Sequence, residues 1–157
     1  MKSLIFLFFV LCSNIPFAQM PEERTINCDM LSVKSTLFHY KNEESPFTGK
    51  CQLFYKNGNK NEEISFVNGR YNGQNISFYK NGQKLREAHY RQGILDGSFS
   101  AWYFNGYKKI KTTYKKGEIA GDFIKWDYKG KIIFEKFYTL SGQKKMEKSI
   151  FILSWTF

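Results

Sequence analysis

Hydrophobic and polar positions recur with a period of 24 residues between residues 49 and 144. Setting Gly49, Gly73, Gly97 and Gly121 beneath one another gives four ungapped units, 49–72, 73–96, 97–120 and 121–144. The sixth position is Phe54, Phe78, Trp102 and Trp126, and the seventh is Tyr55, Tyr79, Tyr103 and Asp127. The eighteenth is aromatic throughout, as Phe66, Tyr90, Tyr114 and Tyr138. Such runs, punctuated by turn residues, predict strands rather than helices. Asn57-Gly58, Asn81-Gly82, Asn105-Gly106 and Lys129-Gly130 predict a tight hairpin turn with positive φ at both central residues. A further glycine at Gly69, Gly93 and Gly117 marks a second turn at the opposite end of each unit. Hairpin joined to hairpin is an all-β fold: one extended antiparallel meander sheet, capped at both ends.

The turns set a register that can be checked. A two-residue turn at positions twenty and twenty-one pairs position eighteen with position twenty-three, which is Tyr71, Leu95 and Ile119 in the first three units. The lead glycines then lie on the face of the position-eighteen rings. They read as packing residues, since no Gly-rich loop here opens a helix. At the other end, a two-residue Asn-Gly turn sets Tyr55, Tyr79 and Tyr103 opposite Lys60, Lys84 and Lys108.

The text Phe78-Tyr79-Lys80-Asn81-Gly82, then Tyr90-Arg91-Gln92-Gly93 and Gly97, resembles the MORN repeat, in the variant found in small bacterial proteins of the YwqK type. The lead-in Tyr40-Lys41-Asn42-Glu43 and Pro46-Phe47-Thr48-Gly49 is similar to that family's approach to its first unit. The resemblance covers residues 38–142. It implies a protein-interaction scaffold or an antitoxin-like or immunity-like binding partner. Binding of anionic lipid or polysaccharide is the alternative. The fourth unit departs from the pattern at Asp127, at Lys129 and in the one-residue slip of its last glycine to Gly142, as terminal repeats do.

The flanks carry address and caps. Lys2, the apolar run Leu4–Leu11 and the end Phe17-Ala18-Gln19 predict a signal peptide over residues 1–19 and export to the periplasm, outer envelope or medium. Leu11 before Cys12 is too large for a lipoprotein site. Residues 20–48 form a lead-in and cap, with Cys28 to Tyr40 covering the first edge. Residues 145–157 alternate Phe151, Leu153, Trp155 and Phe157 with Ile152, Ser154 and Thr156, predicting a closing strand. Cleavage leaves Cys28 and Cys51, a pair suited to one disulfide in an oxidising compartment; two buried thiols are the other reading.

Charge and chemistry narrow the function. Residues 49–144 carry eighteen basic and eight acidic side chains, a net +10, whereas residues 20–48 are net −2. The repeats therefore suit an acidic partner. Two cysteines and the scattered His39 and His89 give no metal-ligand spacing, and nothing suggests a cofactor. Glu63, Glu87 and Glu135 share position fifteen, which reads as a solvated face rather than a catalytic set, and no enzyme activity is expected. A small outer-membrane barrel is disfavoured, because strands such as 59–65 and 108–113 lack an uninterrupted apolar face. The candidate binding face is Tyr55, Tyr79 and Tyr103 with Lys60, Lys84 and Lys108; equally, these residues simply cover and protect the sheet. A protein partner is expected first, and nucleic acid is not.

Overall fold

The computed structural model describes residues 24–138 and 144–149. The expected signal peptide, the turn at Ser141-Gly142 and the alternating residues 151–157 lie outside the described residues. The chain runs through β1 (Thr25–Asn27), a 3-10 turn (Cys28–Met30), β2 (Leu31–Lys34) and β3 (Leu37–Tyr40). Unit one follows as β4 (Gly49–Phe54), β5 (Lys60–Val67) and β6 (Arg70–Tyr71). Next come β7 (Gly73–Phe78), β8 (Lys84–Arg91), β9 (Ile94–Trp102), β10 (Lys108–Lys115) and β11 (Glu118–Ile119). The last are β12 (Phe123–Trp126), β13 (Ile132–Tyr138) and β14 (Lys144–Ser149).

The strands order β1-β4-β5-β7-β8-β9-β10-β12-β13-β14, an open meander in which β1 and β14 are the two ends. The fold is all-β, as the period requires. Its first cap differs from expectation. The edge of β4 is covered by β1, which lies parallel to it through Thr25 to Asn27, upstream of Cys28. Strands β2 and β3 instead form a separate hairpin that packs on one sheet face.

That hairpin creates the densest core. Phe47, Cys51 and Phe66 are almost wholly buried, with Ile26, Leu31, Phe38, Ile64 and Tyr71 packed around them. Phe38 meets Phe66 at 5.0 Å between centroids, and rings continue along this face through Tyr71 and Tyr90. Cys28 and Cys51 are disulfide-bonded, pinning the cap to unit one. No helix among the described residues is long and apolar enough to cross a membrane.

In the first three units the far turn is the two-residue turn expected from the spacing, whereas the near turn is not. Positive φ at both central residues occurs at Asn68-Gly69, Gln92-Gly93 and Lys116-Gly117. These are the two-residue turns that match strand twist. At Asn57-Gly58 only the glycine is left-handed, with φ 85°. There Gly58 N donates to Tyr55 O, and Tyr55 N donates to Asn59 O. The loop is thus three residues closed by a glycine, and Tyr79, Tyr103 and Asp127 begin the same loop. A register shift follows it in every unit, between Leu53 and Phe54 in the first.

Candidate partner-binding face

The loop geometry decides what faces the lysines. Lys60, Lys84 and Lys108 pair with Phe54, Phe78 and Trp102, not with the tyrosines. The expected Tyr–Lys ladder is corrected to a Phe/Trp–Lys ladder. The longer loop slips the register by one residue, and one residue changes the side-chain set that meets across the strands.

The tyrosines have another task. Tyr55 Oη donates to Phe78 O at 2.7 Å, Tyr79 Oη to Trp102 O at 2.8 Å and Tyr103 Oη to Trp126 O at 2.9 Å. Each hydroxyl reaches the sixth position of the next unit, so the three tyrosines stitch unit to unit. The asparagines act alongside them. Asn57 Nδ2 donates to Lys80 O and Asn105 Nδ2 to Tyr128 O, while each Oδ1 accepts the backbone N–H two residues on. Asp127 takes over the turn in unit four, its Oδ1 accepting from Lys129 N and Lys131 N.

A matching ladder runs along the opposite turns. Asn68 N donates to Thr48 Oγ1, Gln92 N to Asn72 Oδ1 and Lys116 N to Asp96 Oδ2. The residue before each lead glycine is therefore an acceptor for the next unit's turn. The lead glycines admit a close neighbour, as expected, but the neighbour is position seventeen of the preceding unit. A Cβ on Gly97 would lie 2.8 Å from His89 Cβ, and one on Gly121 2.8 Å from Thr113 Cβ. Gly73 faces Ser65 more loosely at 3.5 Å, and Gly49 makes room for the Arg24 carbonyl just before β1. Gly58, Gly82, Gly106 and Gly130 all take positive φ in their turns. His89 Nδ1 lies 3.0 Å from Ser98 Oγ.

What remains for a partner is the face bearing Phe54, Phe78, Trp102 and Trp126 with the lysines. Lys60 Nζ sits 5.9 Å from the Phe78 ring centroid, and Lys84 and Lys108 flank Trp102 at 5.8 and 5.9 Å. In the first two units the lysine is also paired, Lys60 with Glu63 and Lys84 with Glu87, both at 2.6 Å. Hydrogen bonding from Lys60 first, and from Gln52, holds the Glu63 carboxyl below its ordinary value against partial burial. Lys84 and Gln74 do the same for Glu87. Unit three replaces this acid with the exposed Lys111, which stands opposite Ser100, so Lys108 lacks the acid that pairs the lysine in units one and two. Lys111 was not singled out from the sequence; its mismatch with Glu63, Glu87 and Glu135 is the signal that would have found it.

The opposite face is a shallow groove. One hollow of about 430 Å³ is bordered by Glu62, Ser77, Arg86, Ala101 and Ile110, and Trp102 reaches its rim. Among the described residues no three of His, Cys, Asp and Glu stand close enough to hold a metal ion. No protein-family model matches the chain, and no curated protein matches it.

Proposed function

We propose that this chain is an exported, non-enzymatic binding protein of the MORN-repeat kind that engages an acidic protein partner, as a scaffold or an antitoxin-like or immunity-like neutralising partner. One observation carries the reading: the rigid sheet presents an aromatic–lysine face whose cations lose their acidic partner in unit three. Flat aromatic area rimmed by cations favours a protein surface of opposite charge. The Cys28–Cys51 bond supports an oxidising compartment and hence export. The resemblance of the repeat text supports the MORN assignment.

The test uses envelope extract passed over the full chain and over Lys108→Glu/Lys111→Glu. The reading expects a saturable partner held by the native chain, released by rising salt and lost by at least tenfold in the variant. Equal capture by both proteins, or no saturable partner, counts against it.

A further inference from the structure

The repeat supplies its own control for what a hairpin tip requires. Positions eight and eleven flank the loop glycine. In units one and two they are Lys56 with Asn59 and Lys80 with Gln83, all polar. Unit three has Phe104 and Tyr107, and unit four has Tyr128 and Lys131. The backbone closes identically in all four, with the seventh residue's N–H donating to the eleventh residue's carbonyl. The turn therefore does not need a ring at either position. Yet Phe104 is 61 % exposed, Tyr107 53 % and Tyr128 62 %, three large rings placed in water at one end of the sheet. Exposed apolar surface that the fold does not use marks a contact site.

The rings are held. Phe104 stands edge-on to Tyr79, 5.3 Å between centroids. Tyr107 lies along the next loop, its Cδ1 3.3 Å from where a Cβ on Gly130 would sit. Cations lie close by: Lys129 Nζ is 5.6 Å from the Tyr128 ring, Lys109 Nζ is 5.4 Å from the neighbouring Tyr103 ring, and Lys131 is exposed. Asp127, the acid nearest these tips in sequence, already accepts two backbone N–H groups.

We infer that the tips of units three and four form a binding site for an extended acidic polysaccharide, a uronate-type chain. The site is separate from the aromatic–lysine face and stands whether or not that face binds a protein. Aromatic ring faces fit the C–H face of a pyranose, and neighbouring ammonium groups fit its carboxylates. Successive tips are two strands apart, about 10 Å, close to the length of one disaccharide in an extended β-linked chain. A ring at each tip thus meets every second sugar. A membrane surface suits this set less well. Neither tip carries Leu, Ile, Val or Met, and the two tyrosines keep polar ends.

The test gives units three and four the tips of units one and two: Phe104→Lys, Tyr107→Gln and Tyr128→Lys in the full chain. These residues already occupy equivalent loops, so the fold is retained, which an unchanged urea midpoint verifies. The exchange adds two positive charges, so simple charge attraction would tighten binding to a polyanion. Titration with β-1,4-linked mannuronate octamers and with β-1,4-linked polyglucuronate at 0.15 M salt reads affinity. The expected result is saturable binding by the native chain to at least one of them, weakened tenfold or more in the variant. Equal or tighter binding by the variant overturns the site as a stacking site. So does failure of the native chain to bind either polymer. Binding to phosphatidylglycerol vesicles that the exchange abolishes, with the uronates unaffected, would reassign the tips to a membrane.

Discussion

Replacing Gly97 by alanine tests how the units are packed, because two separate costs meet there. Its φ is 124°, a conformation that side-chain-bearing residues rarely adopt, and its added Cβ would lie 2.8 Å from His89 Cβ. Backbone strain of this kind costs ~1–3 kcal/mol, and overpacking costs ~1–3 kcal/mol. Reduced freedom of the unfolded chain returns ~0.4–1 kcal/mol. The net expectation for Gly97→Ala is a loss of about 3 kcal/mol. Two other glycines separate the contributions. Gly82 has φ 85° and nothing within 4 Å of an added Cβ, so Gly82→Ala carries strain alone. Gly121 lacks the positive φ but meets Thr113 Cβ at 2.8 Å, so Gly121→Ala carries the contact alone. Each of these two should cost about 1–2 kcal/mol, roughly half the loss at Gly97. Urea denaturation followed by Trp102 and Trp126 fluorescence measures all three. Pairing Gly97→Ala with His89→Gly should show a favourable coupling, since only removing the Cβ relieves the contact. The reasoning fails if Gly97→Ala is no worse than Gly82→Ala, or if Gly121→Ala is neutral.

Two further outcomes follow from the cap and the ion pairs. Opening Cys28–Cys51 by paired serine substitution frees a loop of 22 intervening residues and should cost ~3 kcal/mol, read as a lower urea midpoint. Retained native stability would mean that the cap holds by packing alone. The carboxyls of Glu63 and Glu87 are held below their ordinary value by Lys60 and Lys84. Their contribution is therefore present above the unfolded value, about pH 4.3, and is lost as pH falls through the lower folded value. Glu63→Gln/Glu87→Gln should flatten the acid limb of the stability profile below about pH 4.3. A limb as steep as the native one would assign it to other acids.

The period and the far turns were legible because each is a local matter. Positive φ at Asn68-Gly69 and the pairing of Phe66 with Tyr71 follow from the spacing of one unit. The near turns were not legible, because asparagine there serves through its side chain. Asn57 bonds the backbone two residues on and reaches Lys80 O in the next unit, so its presence does not require positive φ. That one loop residue moved Lys60 from Tyr55 to Phe54 and with it the identity of the exposed ladder. Contacts between successive units were also hidden. The pattern within a unit does not reveal that a tyrosine hydroxyl, or a Thr48, Asn72 or Asp96 oxygen, is bonded one unit away. The places where units disagree, Lys111 and the Phe104, Tyr107 and Tyr128 tips, gained meaning only once the agreeing positions had a structural cause.

The central claim is that the recurring tyrosines hold the sheet and leave binding to the aromatic–lysine face and the loop tips. Its most direct test is the stability of the triple variant Tyr55→Phe/Tyr79→Phe/Tyr103→Phe, which keeps every ring and removes only the three unit-to-unit hydroxyl bonds. At ~1 kcal/mol for each lost bond, urea denaturation should show a fall of about 3 kcal/mol with the β far-ultraviolet spectrum intact. A triple variant as stable as the native chain would contradict the account and return the tyrosines to the candidate binding surface.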